Sequence, residues 1–119
     1  MAAKDTVGRY GENVAVARLS EAGMTVLDRN WRCAGGEIDV VARDGDTLVV
    51  CEVKTRRSTS AGTALEAVTP HKLDRLQRLA EQWLAAHPGV GTVPVRFDVV
   101  AVTPARSGAA RVEHLRGVL

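Results

Sequence analysis

Three charged residues in the middle of the chain are spaced in a way that could support metal-assisted chemistry. Asp39 lies in one β-prone run, and Glu52 and Lys54 lie in the next, with the turn signal Asp44-Gly45-Asp46 between the two runs. Glu52 and Lys54 continue the apolar side of their own strand. A buried charge costs several kcal/mol unless it is paired or bound to a metal. These positions are therefore candidates for a functional site.

The register of this predicted hairpin indicates which side chains meet. With a two-residue turn, the ladder places Asp39 opposite Glu52 and Glu37 opposite Lys54. Two opposed carboxylates, with Cβ atoms about 4.5–5.5 Å apart, repel each other unless a cation lies between them. Mg²⁺ and Mn²⁺ favour carboxylate oxygens and also accept phosphate, so the pair predicts a divalent-metal site. A three-residue turn would instead oppose Asp39 to Cys51.

Lys54 and Glu12 are expected to complete this site. Beside a metal, the amine of Lys54 could orient or deprotonate a water molecule, which requires a lowered pKa, or stabilise charge on a phosphate. Glu12 falls on the inward stripe of a predicted first helix, from which its carboxylate could complete the metal shell. The structural alternative is a cross-strand salt-bridge cluster formed by Asp39, Glu52 and Lys54. Glu37 is equally suited to a structural ion pair and to the site.

Two helices and a set of strands must position these residues. A first helix is predicted from Gly8 to about Ala22, with Gly23 as its stop signal, and a second follows an apolar stripe from Leu65, with Thr69 as N-cap and Pro70 in the first turn of its main part. The first predicted strand begins at residues 24–27 and ends in the basic segment 28–32. The others cover residues 37–43, 47–55 and 93–102, with a short edge strand at 111–115.

The strand–helix–strand passage after residue 47 allows a parallel crossover, whereas the hairpin is antiparallel, so the order of elements predicts a mixed sheet with packed helices. Alternation places Ile38, Val40 and Ala42 on one face of their strand.

Composition and charge exclude several classes of protein. The 119 residues are 45% hydrophobic and 25% charged, which excludes fibrous, collagenous and disordered chains and predicts a single domain over residues 1–119. No apolar run is long enough to span a membrane, and two cysteines are too few for a disulfide framework, so we expect a cytoplasmic protein. Because the net charge is only +2, nucleic-acid binding would require grouped basic residues.

Several blocks, taken in order, resemble a known family. Asp39 followed by Glu52-Val53-Lys54 on a hairpin, after a helical Glu12, resembles the PD-(D/E)XK nuclease superfamily and especially archaeal Holliday-junction resolvases, although Ile38 replaces the proline of the motif name. The chain looks more closely like the YraN family of small bacterial proteins, through Arg29-Asn30, Gly36-Glu37-Ile38-Asp39, Glu52-Val53-Lys54-Thr55-Arg56, Glu66-Ala67-Val68, Lys72 and Arg96-Phe97-Asp98-Val99.

This resemblance implies both a fold and an activity. The fold is α/β and restriction-endonuclease-like, with a mixed central β-sheet flanked by helices. Glu12, Asp39 and Glu52 are implied as metal-site acids for Mg²⁺ or Mn²⁺, and Lys54 as the catalytic lysine of an endonuclease acting on DNA. Branched or junction DNA is favoured only through the resolvase resemblance. The alternatives are a catalytically idle nucleic-acid-binding module in DNA uptake or repair, and a structural adaptor.

Basic residues near the site are the candidate phosphate contacts, namely Arg29, Arg32, Arg56, Arg57 and Lys72. The face formed by Lys72, Arg75 and Arg78 is also typical of a solvated helix. A homodimer would double the contact surface and provide two sites, but the sequence does not fix the oligomeric state.

Aromatic and histidine residues carry less weight. Trp31 and Trp83 are expected to pack rather than to stack on bases, and His71, His87 and His114 are expected at the surface.

Overall fold

The predicted order of elements is confirmed by a computed structural model, which describes residues 6–56, 66 and 68–119. The elements are α1 (Thr6–Glu21), β1 (Thr25–Cys33), β2 (Gly36–Asp44), β3 (Thr47–Thr55), α2 (Pro70–Ala86), a 3₁₀ turn (Pro88–Val90), β4 (Val95–Thr103) and β5 (Arg111–Leu115). No helix in the described part of the chain is long and apolar enough to cross a membrane.

The strands form a mixed sheet in the order β1-β2-β3-β4-β5. β3 and β4 are parallel, as the crossover through α2 predicts, and the other neighbouring pairs are antiparallel. With one helix on each face, this mixed α/β arrangement is consistent with a restriction-endonuclease-like fold.

Each face of the sheet buries its own apolar layer. The layer on the α1 face consists of Ala15, Leu19, Met24, Val40, Ala42, Val49, Cys51, Val100 and Val102. The layer on the α2 face consists of Ile38, Val41, Leu48, Val50, Leu76, Leu79, Ala80, Trp83 and Phe97. The alternation predicted for β3 is therefore confirmed, because Leu48 and Val50 lie on one face and Val49 and Cys51 on the other. Trp83 packs in the α2-face layer, as expected, and the partly buried Trp31 packs against that layer.

The predicted helix signals have the expected roles. Thr69 is the N-cap of α2, where its hydroxyl accepts a hydrogen bond from the Lys72 N–H at 3.2 Å, and Pro70 follows it. Gly23, at φ 91°, ends α1 in the left-handed conformation that favours glycine. The residue types at these positions were sufficient to predict the start of α2 and the end of α1.

The alternation predicted for β2 is wrong at one residue. Ile38 was expected beside Val40 and Ala42, but it packs on the α2 face with Val41, whereas Val40 and Ala42 pack on the α1 face. In the neighbouring strand, Asn30 has a φ of 52°, in the left-handed region. The ladder pairs on either side of it are Arg29↔Val40 and Trp31↔Ile38, so both strands break their alternation at the same level.

β1 continues through the basic segment to Cys33, as predicted, but it contains an irregularity that was not predicted. A register shift between Val26 and Asp28 leaves Leu27 as the extra residue, and its side chain is exposed. A bulge of this kind depends on the partner strand, so the sequence of β1 alone did not indicate it.

Candidate functional site

The β2–β3 hairpin opens where the candidate acids begin. Its ladder runs from Asp44↔Thr47 to Val40↔Cys51, in the predicted two-residue-turn register. The expected pairs of Asp39 with Glu52 and Glu37 with Lys54 do not continue that ladder. Instead, Oδ2 of Asp39 accepts a hydrogen bond from the Val53 N–H at 2.8 Å. In a regular ladder the Val53 N–H would donate to a main-chain carbonyl of β2, but here it donates to the Asp39 side chain. The prediction that Asp39 lies directly opposite Glu52 in the ladder is therefore wrong.

Helix α1 brings Glu12 to the opened end of the hairpin. Glu12 is buried, with 2% of its surface exposed. Its neighbour Gly11 lies so close to β3 that a Cβ at this position would be 1.8 Å from the Thr55 hydroxyl oxygen. Gly11 therefore permits the close approach of α1 and β3. This approach places Glu12 inside the protein, as predicted from its position on the helix.

Three carboxylates meet at this point. Glu12, Glu37 and Asp39 each offer an oxygen, and these oxygens lie within 4.8 Å of one another. The break in alternation at Asp39 allows Glu37 and Asp39 to face α1 rather than the α2 layer that contains Ile38. Carboxylate oxygens grouped in this way suit a hard divalent cation such as Mg²⁺ or Mn²⁺. The donor set thus fits the predicted class of metal, with Glu37 as a member that was expected with less weight.

Two arginines of β1 lie beside these acids. Nε of Arg32 is 2.9 Å from Oε2 of Glu37, and Nη2 of Arg29 is 3.9 Å from Oε1 of Glu12. Arg29 also donates to the side-chain oxygen of Asn13 at 2.8 Å. Both guanidinium groups were predicted as nucleic-acid contacts, and both are ion-paired with the acidic cluster.

Glu52 and Lys54 project from β3 toward α2. Oε1 of Glu52 is 3.2 Å from Nη2 of Arg75, and Glu52 is not part of the close group formed by the other three acids. The amines of Lys54 and Lys72 lie next to each other. Burial lowers the pKa of Lys72, and the positive charge of the neighbouring Lys54 lowers it further. The site therefore has an acidic side under α1 and a mixed, largely basic side under α2.

The other basic residues that were considered as phosphate contacts and that the structure describes lie at the end of β3 and on α2. The Arg56 N–H donates to the Val102 carbonyl at 2.8 Å, which extends the β3–β4 pairing past the end of the strand. Arg57 lies outside the described residues. Arg78 forms an ion pair with Asp74 within α2, so of the two arginines on this helix face it is Arg75 that contacts an acid of the site.

A second charged group, at the start of β4, was missed by sequence reasoning. Asp98 is fully buried and accepts hydrogen bonds from Arg96 and from the Gly117 N–H. His114 lies 2.7 Å from the same carboxylate, and Arg96 also contacts Asp44 at 2.9 Å. Burial alone would raise the pKa of Asp98, but its partners outweigh burial and lower the pKa to about 2.

The side chain of His114 is 13% exposed and is not the surface residue that was expected, whereas that of His87 is 36% exposed. His114 pairs with Val100 across β4 and β5, which directs its ring toward Asp98. The His87 ring stacks on Trp83, with centroids 4.0 Å apart, and its Nδ1 lies 2.7 Å from the Trp83 carbonyl. His71 is exposed, as predicted. His87 lies one helical turn after Trp83, so that contact is local, whereas His114 and Asp98 are 16 residues apart on neighbouring strands and their spacing gives no signal.

The chain is similar to proteins of one family along nearly its whole length. The sequence pattern of the uncharacterised protein family UPF0102 matches residues 11–102. A UPF0102 protein of Kineococcus radiotolerans is 75% identical over 116 residues, covering 98% of this chain and 95% of that protein. A UPF0102 protein of Streptomyces coelicolor is 57% identical over 119 residues, covering 99% and 92%. One of Acidothermus cellulolyticus is 48% identical over 124 aligned positions, covering 97% and 94%.

Proposed function

The chain belongs to the UPF0102 family, which is the same family as YraN, and we propose that it is a metal-dependent endonuclease that hydrolyses phosphodiester bonds in DNA. One observation carries the proposal. Glu12, on the buried face of α1, meets Asp39 and Glu37 at the point where β2 separates from β3, and the Glu52-Val53-Lys54 segment forms the other side of that opening.

The acidic side would hold the divalent ion. Glu12, Glu37 and Asp39 would be its carboxylate ligands. Glu52, proposed from the family resemblance as a ligand, would first have to exchange its contact with Arg75. Such an ion stabilises charge on a phosphate oxygen and makes water easier to deprotonate.

The basic side would act on the substrate. Lys54 would orient the attacking water or stabilise the charge that develops on the phosphate, while Asp39 is held in place by the Val53 N–H. Lys72, in contact with Lys54, would bind a neighbouring phosphate oxygen. Arg56 and Arg57 would position the backbone without reading bases.

A cleavage panel tests the proposal. Labelled four-way junction, duplex and single-stranded DNA, with single-stranded RNA for comparison, are incubated with Mg²⁺ or Mn²⁺ and resolved on a denaturing gel. We expect divalent-dependent cleavage of DNA that disappears with chelator and in Asp39→Asn.

The matched control for this substitution is Asp46→Asn, which removes a carboxylate from the exposed turn of the same hairpin. It should cleave like the wild type. If all substrates remain intact under every condition although the protein binds them, the chain is a binding module and the proposed activity is wrong.

A further inference from the structure

Two arginines of the edge strand β1 reach the acidic cluster from the same side. Arg32 contacts Glu37 at 2.9 Å, and Arg29 lies 3.9 Å from Glu12. Positions three apart in a regular strand point to opposite faces. The left-handed backbone of Asn30, at φ 52°, lies between them and coincides with the break that brings both side chains to one face.

The arginine head groups are only partly covered. The side chain of Arg29 is 39% exposed and that of Arg32 is 37% exposed, whereas Glu12 is only 3% exposed in its side chain and Glu37 is 22% exposed. The acids are therefore fixed inside the site, while the cations beside them can turn outward without opening the apolar core. The Arg32–Glu37 pair is partly exposed on both sides, and such a pair is worth about 1 kcal/mol or less, so a cation that takes over the carboxylates can replace it at little cost.

A divalent cation and these guanidinium groups compete for the same carboxylates. Without a cation, the arginines offset the repulsion among the three acids. With a cation on the carboxylates, the arginines would lie next to positive charge and would favour a different anion. A nucleic-acid phosphate is such an anion, and arginine binds it well through paired donors.

We propose that Arg29 and Arg32 are exchangeable counter-ions: binding of a divalent cation releases them from Glu12 and Glu37 to bind nucleic-acid phosphates, so that metal loading switches on substrate binding. This inference rests on the proposed function, since the cation is that of the proposed nuclease. Arg29 and Arg32 are positioning residues, and they take no part in the bond-breaking step.

Coupling of this kind is reciprocal and has a measurable signature. If the cation raises affinity for nucleic acid by a given factor, nucleic acid raises affinity for the cation by the same factor. The arginines should contribute to nucleic-acid binding only in the cation-loaded protein, because in the cation-free protein they are held by the acids. A permanent phosphate contact would contribute equally in both states.

Fluorescence anisotropy with a labelled four-way junction tests this signature. Ca²⁺ replaces Mg²⁺ to limit cleavage, chelator gives the cation-free state, and ionic strength is held constant because phosphate contacts depend on salt. We expect the Arg29→Met, Arg32→Met double variant to bind about tenfold more weakly than the wild type in Ca²⁺, a typical coupling factor, and within about twofold of it in chelator. Each single variant should show part of the loss.

Arg43→Met is the matched control, since it removes one exposed arginine from the neighbouring strand. It should weaken binding equally, if at all, in the two buffers. The Arg29→Lys, Arg32→Lys variant keeps both charges and should recover part of the coupling. Equal loss in both buffers for the methionine variant, or no loss in either, would overturn the proposal.

Cation binding is measured separately, with Mn²⁺ alone, by the electron paramagnetic resonance signal of the free ion. The Arg32→Met variant should bind Mn²⁺ several-fold more tightly than the wild type, because no internal counter-ion has to be displaced. If the wild type binds no Mn²⁺, both the proposed nuclease and this inference fail. If it binds Mn²⁺ and cleaves DNA but the methionine variant binds Mn²⁺ no more tightly, the inference alone fails.

Discussion

Lys54 is the residue whose proposed role is most easily separated from binding. Its amine lies beside that of Lys72, on the side of the opening that is proposed to face the substrate. Lys54→Ala should lower the rate of DNA cleavage about 100-fold, the usual scale for a general acid or base, and leave affinity for DNA nearly unchanged. Single-turnover cleavage and anisotropy on the same substrate measure the two effects.

Lys72→Ala is the informative comparison, because Lys72 is proposed to contact phosphate. Its affinity for DNA should fall and the dependence of log K on log salt should flatten by about 0.9, a change that Lys54→Ala should not cause. Equal losses of affinity in the two variants would recast Lys54 as another phosphate contact.

Asp98 makes the stability of the protein depend on acidity. Its carboxyl has a pKa of about 2 in the folded chain and an ordinary value of 3.8. The ionised form is therefore favoured in the folded state, and its contribution of about 2 kcal/mol is fully present above about pH 4 and is lost as pH falls through about 2. Urea unfolding across this range should show the loss.

The Asp98→Asn variant should be less stable at neutral pH, because Arg96 loses its buried partner. Its free energy of unfolding should also fall less than that of the wild type between about pH 4 and 2. Asp46→Asn, in an exposed turn, should keep the wild-type acid profile. An unchanged profile in the Asp98 variant would contradict this assignment.

At the residue scale, the sequence did not predict which charged side chains pair with each other. Glu12, Glu52 and Lys54 were selected because they are charges on apolar stripes, and Asp39 because the predicted register opposed it to Glu52. The partners differ: Glu37 pairs with Arg32 instead of Lys54, and Glu52 pairs with Arg75 instead of facing Asp39. Partners of charged side chains are set by neighbouring strands and helices. A one-strand pattern contains no information about those neighbours.

At the scale of elements, the contact of α1 with β3 decides where Glu12 lies. Gly11→Ala would place a Cβ 1.8 Å from the Thr55 hydroxyl oxygen. Alanine improves helix propensity by up to about 1 kcal/mol, but overpacking costs about 1–3 kcal/mol, so we expect net destabilisation. Urea unfolding should show it, together with weaker Mn²⁺ binding as Glu12 is displaced.

A double substitution separates the steric cause from other causes. Gly11→Ala with Thr55→Ala should be more stable than the sum of the two single effects predicts, since the clashing hydroxyl is gone. Additive effects would mean that the helix does not press on β3 at this position.

The register of the β2–β3 hairpin was predicted correctly over only part of its length. The turn chemistry at Asp44-Gly45-Asp46 fixes the register from Asp44↔Thr47 to Val40↔Cys51, as predicted. Beyond that point, a side chain replaces a main-chain acceptor and Asn30 of the next strand takes up a left-handed conformation. Propagating the ladder from its turn therefore fails where the site begins.

At the scale of the whole molecule, a bound cation should appear as added stability. A ligand that binds only the folded chain at 100 times its dissociation constant adds about 2.7 kcal/mol. Mn²⁺ should accordingly raise the melting temperature of the wild type, and Glu12→Gln with Asp39→Asn should abolish the rise. Differential scanning calorimetry, with and without Mn²⁺, measures it.

Glu21→Gln is the control for this change, because it alters an exposed glutamate at the other end of α1. It should retain the wild-type increase. The same Mn²⁺ response in the double variant would exclude Glu12 and Asp39 as ligands.

The overall arrangement was the most predictable level. Strand β3, helix α2 and strand β4 follow one another with the spacing of a parallel crossover, and β5 occupies the predicted range 111–115. These features follow from periodicity and turn residues, which are local. The contacts of Asp98 with His114 and with the Gly117 N–H join residues 16 and 19 positions apart, so only the folded structure shows them.

The hydrogen bond from the Val53 N–H to Asp39 makes one amide of the protein a reporter of the site's charge. Its proton faces an anionic oxygen, so its resonance should shift whenever a cation draws electron density from that carboxylate. In a ¹⁵N-labelled sample, adding Mg²⁺ should move the Val53 cross-peak, while the amide of Val49, paired with Ala42 within the regular ladder, stays in place. Occupancy can then be followed in solution with neither substrate nor turnover.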